Sequence, residues 1–265
     1  NIILRSKKPP VVSKENEEGQ MIIYGLTPSD LERIVSTVPT VVAATPLREH
    51  RKWIRRLDKS LDGRVVAITP AYEVANRLQL RRGRFLTERD GREFATVALL
   101  AAETANRLFP LEDPIGRAVR IGEDQYYQVV GVIEPRSPSA GVGSTLPPQD
   151  YSHDVYVPFE TDRARFGEVV VLQRGAQLNE KVEISQITLS VVDVDQVKDT
   201  AQIVAGILGH NHQQGDTTIT VPLDLIEQVE KTQRIFTLVL GTIASISLLV
   251  GGIGIMNIML ATVTE

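Results

Sequence analysis

Hydrophobic and polar positions are distributed unevenly along this chain. From Ile235 to Thr264 thirty residues run without a charge, bounded by Lys231 and Arg234 on one side and Glu265 on the other. About 20 apolar residues rising about 1.5 Å each cross a hydrocarbon core of about 30 Å, so this run predicts a transmembrane helix over about 235–260. Just ahead, apolar residues at 225/226, 229 and 235/236 alternate with charges, and Pro222 stands where a helix can start. One helix from about Leu223 to Met259 is predicted, roughly 55 Å long against a core of about 30 Å, and the excess makes a rigid stalk. Within it Gly241, Ala244, Ser245, Gly251, Gly252 and Gly254 are small, and Asn257 carries an amide that lipid cannot satisfy. Such a helix is expected to pack closely in a bundle. Its position far from the N-terminus does not fit a signal peptide, and the chain reads as a piece of a longer membrane protein.

Residues 1 to about 222 alternate between strand and helix patterns. Asn1 to Arg5 reads as a strand and Lys7 to Gln20 as a polar loop. Thr27 is an N-cap candidate before Pro28, with Leu31, Ile34, Val35 and Val38 as the apolar face of a helix that Pro39 ends. Strands are predicted at Val41 to Ala44, Leu47 to Leu57 and Val65 to Thr69, with a turn at Asp62-Gly63. Further strands are Thr96 to Leu100, Tyr126 to Ile133 and the run from Asp154, with a short helix at about Ala102 to Phe109 and a turn-to-strand segment from Asp113. Pro135 to Asp150 is rich in Pro, Gly and Ser and reads as a loop. Gln186 to Val192 and Asp216 to Val221 flank a helix over Val194 to Leu208, with Val197, Ala201, Val204, Ala205 and Leu208 inward. This last β-α-β piece echoes residues 1–44. An α+β class follows, with a split subdomain of residues 1–70 and 181–222 around a mostly β insertion at 71–180, and the stalk and membrane helix at 223–265.

Composition narrows the chemistry. Without cysteine there is no disulfide, thiolate zinc site, cysteine nucleophile or iron–sulfur cluster. A net charge of −4 argues against a dedicated nucleic-acid binder. The basic cluster Arg48, Arg51, Lys52, Arg55, Arg56 and Lys59 around Trp53 contains Glu49, Asp58 and Asp62. It reads as the solvated face of a hairpin rather than an anionic-lipid or nucleic-acid site. Ser152-His153-Asp154 has the residue types of a triad, but strand neighbours point to opposite faces. His210 and His212 fall short of a metal's ligand set, Gly141-Val-Gly143-Ser is not a phosphate loop, and Glu17-Glu18 is a solvated pair. No catalytic, cofactor or metal residue is predicted.

The order of these pieces resembles the MacB-type ABC transporter permeases, with a periplasmic core domain and FtsX-like membrane helices. The resemblance rests on Gly83-Arg84-Phe85-Leu-Thr with Asp90; Val97-Ala-Leu-Leu followed by Leu108-Phe109; Pro114-Ile-Gly116; Val129-Val-Gly131-Val132; Val155-Tyr-Val-Pro158; Ile187 to Asp193; and the run from Ser247 to Leu260 with Val263-Thr-Glu265. It implies a domain between the first and second membrane helices, built of a split Porter-like and an inserted Sabre-like subdomain, in a bacterial inner-membrane protein with residues 1 to about 230 periplasmic. It further implies a permease that does no chemistry itself, in a homodimer or heterodimer, with ATP and Mg bound by a fused or separate ATPase. Some members of the family work with an adaptor and an outer-membrane channel, and substrates include antibiotics, peptides and lipoproteins. The long helix would then carry motion between ATPase and periplasm. A single-pass anchored binding or sensor domain is the alternative, and a membrane-tethered hydrolase using His153 or His210 a third reading.

Overall fold

A computed structural model of the chain describes residues 1–9, 22–135, 150–167, 180–193, 195–212 and 214–264. The paired Glu17-Glu18, most of the 135–150 loop and Gly141-Val-Gly143-Ser lie outside them. In chain order the elements are β1 (Ile2–Ser6), β2 (Ile22–Ile23), α1 (Pro28–Thr37), β3 (Val41–Arg56), β4 (Lys59–Ile68), α2 (Ala71–Ala75), β5 (Leu80–Gly83), α3 (Glu88–Arg92), β6 (Val97–Ala101), α4 (Ala102–Leu108), β7 (Ala118–Ile121), β8 (Gln125–Ile133), β9 (Asp154–Pro158), α5 (Phe159–Phe166), β10 (Glu180–Lys181), β11 (Gln186–Val191), α6 (Val197–Asn211), β12 (Thr217–Thr220) and α7 (Pro222–Thr264). The fold is mixed α+β. The sheet and its helices form one compact unit up to Val221, and α7 belongs to another.

Ten strands share one sheet in the order β12-β1-β11-β3-β4-β9-β6-β8-β5, and β7 pairs with both β3 and β8. The strands β3, β4, β9, β6, β8 and β7 therefore close a ring of paired neighbours, which leaves fewer unpaired edges. All five residues of β6 and of β9 are buried, so both faces of these strands are covered. One core cluster gathers Leu47, Val66, Ile68, Tyr72, Leu99 and Tyr156. A two-residue parallel pairing joins β2 to β10.

Local chemistry explains the elements the pattern had marked. Thr27 caps α1, accepting from Asp30 N while the Asp30 side chain accepts from the Thr27 backbone, with Pro28 in the first turn. The inward faces are narrower than expected: Val35 and Ala205 are exposed, and α6 starts at Val197 rather than Val194. The helices α2, α3 and α5 have five to eight residues, too few for a periodic pattern.

Two expectations about the hairpin are corrected. The segments at 41–44 and 47–57 are one strand. Pro46 cannot donate, but it pairs with Ile187 of β11, and the β4 ladder starts only at Leu47. The turn falls at Leu57-Asp58, not Asp62-Gly63: Arg56 pairs with Lys59, and Gly63 pairs with Lys52 inside β4. Gly63 answers to packing, since a Cβ there would press on Ile54 Cδ1 and sit 3.0 Å from the His153 carbonyl oxygen. We predict that Gly63→Ala costs about 1–3 kcal/mol. Urea unfolding should show a lower midpoint with an unchanged slope, and an unchanged midpoint would contradict this packing role.

Candidate functional site

The residues of the Gly83–Asp90 motif converge on a structural clamp. Gly83 ends β5 with φ +83, and a Cβ there would run into the Val130 carbonyl oxygen and lie 2.7 Å from Gly131 Cα. A Cβ on Gly131 would in turn meet the Arg84 carbonyl oxygen at 2.5 Å. The two glycines thus permit a close approach of β5 and β8 that larger residues would block. Arg84 then reaches over α3. Its Nη1 and Nη2 donate to Asp90 Oδ2 and Oδ1 at 2.7 and 2.9 Å, and Nη1 also donates to the Phe85 carbonyl. Asp90 is held further by the Thr87 backbone N–H and hydroxyl at 2.8 and 2.7 Å. Hydrogen bonds from Arg84, then those from Thr87, outweigh burial and hold Asp90 at about 2.

Other motif residues support the same region or its neighbours. Gly116 N donates to the Val129 carbonyl at 2.8 Å, which lays the Pro114–Gly116 turn on β8. Phe85 packs on the core cluster. Leu108 and Phe109 are buried at the end of α4, where the Arg56 guanidinium stacks over the Phe109 ring at 4.2 Å and donates to the Leu108 carbonyl. Pro158 is buried opposite Ile68 and precedes α5.

The membrane-helix residues stand apart from these. Among the described residues no atom lies within 4 Å of a Cβ built on Gly241, Gly251 or Gly252. Ser245 Oγ donates to the Gly241 carbonyl at 2.8 Å. The side-chain surroundings of Gly254 and Asn257 lie outside the described residues. The stretch Arg234–Ile253 has a mean hydropathy of 2.1 and none of it is buried.

No triad forms at Ser152-His153-Asp154. The Asp154 carboxylate takes both Nε and Nη2 of Arg64, at 2.8 and 2.6 Å, and the Tyr156 hydroxyl at 2.9 Å, while His153 lies 3.7 and 3.8 Å from Asp150 and Glu103. Burial raises the Asp154 pKa above the ordinary value although Arg64 opposes it. Among the described residues no group of three or more His, Asp or Glu could hold a metal ion.

The structure places two ionic clusters that sequence reasoning missed. Arg48, expected on a solvated face, is 1% exposed and lies 3.6 Å from Asp162, whose other oxygen sits 2.7 Å from His50 Nε2. The Phe166 ring packs edge-on to His50 and stacks on Tyr127. Burial, then the Asp162 charge, raises the Tyr127 pKa. The second cluster is at His212, whose Nε2 is 3.0 Å from Asp30 and Nδ1 2.9 Å from Asp216, while the other Asp216 oxygen accepts from Gly25 N at 2.7 Å. Burial disfavours the imidazolium, but hydrogen bonds to Asp216 and Asp30 outweigh it and raise the His212 pKa. Asp30 is pushed up by burial but ends below its ordinary value through bonds from Thr27, His212 and Asn211. Thr27 is legible in sequence as a cap, and its three-residue spacing to Asp30 is the local signal that could have found one partner of this cluster; no local signal links His212 and Asp216 to it. These clusters tie together elements that are distant in sequence.

With this geometry in hand, comparison with known proteins gives the family. Residues 6–207 match the model of the MacB-like periplasmic core domain. The chain is 33% identical over 248 residues to the macrolide export ATP-binding/permease protein MacB of Marinobacter nauticus, covering 93% of this chain and 35% of that protein. It is 34% identical over 250 residues to the protein of the same name from Azoarcus sp., covering 94% and 35%. In fold it is similar to the periplasmic region of MacB from Actinobacillus actinomycetemcomitans, with TM-score 0.61 and 18% identity over 86% of this chain and 92% of that one. It is also similar to the extracellular domain of the noncanonic ABC-type transporter YknZ from Gram-positive bacteria, with TM-score 0.59 and 20% identity over 83% and 100%. The chain belongs to the family of MacB-like periplasmic core domains. It spans about a third of the length of the curated relatives it matches.

The signs of the two shifts fix a pH dependence. A raised His212 pKa contributes stability that is whole below about pH 6.5 and is lost as pH rises through the folded value; a lowered Asp30 pKa contributes stability lost as pH falls through its own folded value. We predict that His212→Gln lowers the melting temperature of the sheet unit, read by Trp53 fluorescence, by roughly 2–8 °C at pH 5.5, for about 1–2 kcal/mol. At pH 9 the deficit should shrink. An equal deficit at both pH values would contradict the bracketed imidazolium.

Proposed function

We propose that this chain is the periplasmic domain and second membrane helix of a MacB-type ABC transporter permease in the bacterial inner membrane. A fused or separate ATPase, which binds ATP and Mg, would drive it from the cytoplasmic side. The observation that carries the reading is α7, one helix from Pro222 to Thr264 that begins two residues after β12 and contains the apolar stretch Arg234–Ile253. In lipid every backbone polar group must be satisfied within the segment, so a continuous helix is the element that can both cross and transmit. Twenty residues span about 30 Å, and the turns ahead of Arg234 add about 18 Å outside the hydrocarbon. In this reading a displacement at the membrane end reaches the strand-bearing domain along the chain, since Val221 alone separates α7 from β12.

The glycines supply a second support. Each costs a helix interior about 1 kcal/mol relative to alanine. Among the described residues nothing near Gly241, Gly251 or Gly252 requires the missing side chain. Close approach of neighbouring membrane helices supplies the reason, and the permease works as a dimer in which these residues, with Ser245, Gly254 and Asn257, pack against other helices. Within the sheet unit, residues 1–70 with 181–222 and the insertion 71–180 are the two proposed subdomains, joined in one sheet by the β4–β9 and β3–β7 pairings. The clamp of Gly83, Arg84, Asp90 and Gly131 keeps the insertion rigid, with Phe85, Leu108, Phe109, Pro114, Gly116 and Pro158 as its supports. The relatives' name makes a macrolide-class cargo the first to test, with an adaptor and outer-membrane channel as further partners.

A Gly-Gly-Ser-Gly insertion after Glu227 puts a flexible linker into the stalk, and in the reconstituted transporter it should leave ATP hydrolysis largely intact while cutting transport about tenfold. Unchanged transport would contradict mechanical coupling, and failure to associate with any ATPase would favour an anchored binding domain. Gly252→Leu should weaken the dimer in nanodiscs about tenfold, or about 1.4 kcal/mol. An unaltered dimer population would remove the close helix contact.

A further inference from the structure

Three strands bring one row of side chains into register on the sheet surface. Arg55 of β3 lies opposite Arg120 of β7, and Arg120 lies opposite Tyr126 of β8. The adjacent pair, Ile54 opposite Ile121, is fully buried. Because successive side chains alternate across a strand, the Arg55-Arg120-Tyr126 row faces the other way. Like charges directly opposite each other on paired strands repel. Neither Arg55 nor Arg120 makes an ion pair among the described residues.

These side chains line a cleft of about 460 Å³ together with Arg56, Arg117 and Leu57. Arg56 is fixed there by its stack on Phe109 and by a 2.6 Å bond from Nη2 to Glu112, and Arg117 Nε lies 3.9 Å from the same carboxylate. Four guanidinium groups thus line the cleft, and among the described residues only Arg56 and Arg117 have a carboxylate partner, the shared Glu112, in a chain whose net charge is −4. Leu57 adds a second local conflict. It sits at the tip of the β3–β4 hairpin with φ 52, a conformation that favours glycine or asparagine, and its side chain is 86% exposed. Tyr126 is 61% exposed. A repelling pair, a strained turn and two solvated apolar groups in one place gain nothing within the chain, and such breaches of local rules concentrate where function requires them.

We propose that this cleft docks an acidic surface of a partner protein, with the arginines pairing its carboxylates and Leu57 and Tyr126 as apolar anchors. Arginine and tyrosine are the residues enriched in protein interfaces, whereas lysine is depleted there, and the guanidinium fork matches a carboxylate. An interfacial lipid-binding element is an amphipathic helix with Lys and Arg on its polar face, and this surface is a strand row and a hairpin tip. The docking site stands on the sheet alone and does not depend on what α7 transmits.

The test uses the full chain in nanodiscs of zwitterionic lipid and a fluorescein-labelled peptide of eight glutamates around a central Leu-Phe, followed by anisotropy. The account expects salt-sensitive binding that weakens about tenfold in the double variant Arg55→Gln, Arg120→Gln, and about threefold in Leu57→Gly. The double variant should melt at or above the wild-type temperature, because a repelling pair is removed. Equal peptide binding by wild type and double variant would overturn the proposal. So would a lower melting temperature, since it would show that the two arginines serve the fold. Displacement of the peptide by inorganic phosphate, or stronger arginine-dependent binding to phosphatidylglycerol vesicles, would also overturn it in favour of a phosphate or lipid site.

Discussion

Ten consecutive residue pairs between β3 and β4 are the constraint from which the rest of the sheet is hung. Along its first half β3 also carries β11, and through it β1 and β12; near its end it carries β7. On the other side β4 carries β9, and through it β6, β8 and β5. Side chains alternate with period two, so a slip of one residue would turn Arg48 and His50 outward and Glu49 and Arg51 inward. The register is held by burial of Val66 and Ile68 in the core cluster on one face. On the other face Val65 and Ala67 are buried opposite His50 and Arg48.

The buried charges follow from that register. Arg48 and His50 arrive on one face and meet Asp162 of α5, and Arg64 of β4 meets Asp154 on the paired strand β9. Burying a charge is costly unless it is paired, so each such contact penalises any arrangement that separates the partners. Their contribution lies in fixing which elements meet rather than in adding net stability. The Asp30–His212–Asp216 bridge does the same for α1, the end of α6 and the entry to β12, the strand that precedes α7.

Much of the architecture was legible where the signal is local. The cap of α1 at Thr27, the apolar strands β6, β8 and β9 and the uncharged run of α7 are patterns within a few turns of chain, and the resemblance to the family rested on several short motifs, among them Gly83 to Asp90 and the run from Ser247 to Leu260. What escaped depends on distant partners. Arg48 looks like any hairpin arginine until Asp162, more than 100 positions away, covers it. Gly63 looked like a turn because Asp-Gly is common in turns, whereas its constraint comes from Ile54 and the His153 carbonyl. His212 sits 182 positions from Asp30, and no spacing rule connects them. The short helices lacked the length to show a period.

The proposed coupling requires α7 to behave as one rod. The helix is 43 residues long with glycines at 241, 251, 252 and 254, so continuity under load is the property that matters most. The chain has no cysteine, so spin labels can be placed without removing any native thiol. The most direct test is the electron-spin distance between labels at Gln228 and Thr242 in the intact transporter, with and without ATP. A rod predicts a narrow distribution near 21 Å, unchanged by nucleotide. A broad distribution, or a nucleotide-dependent shift of more than about 5 Å, one helical turn, would show a hinge and contradict the account.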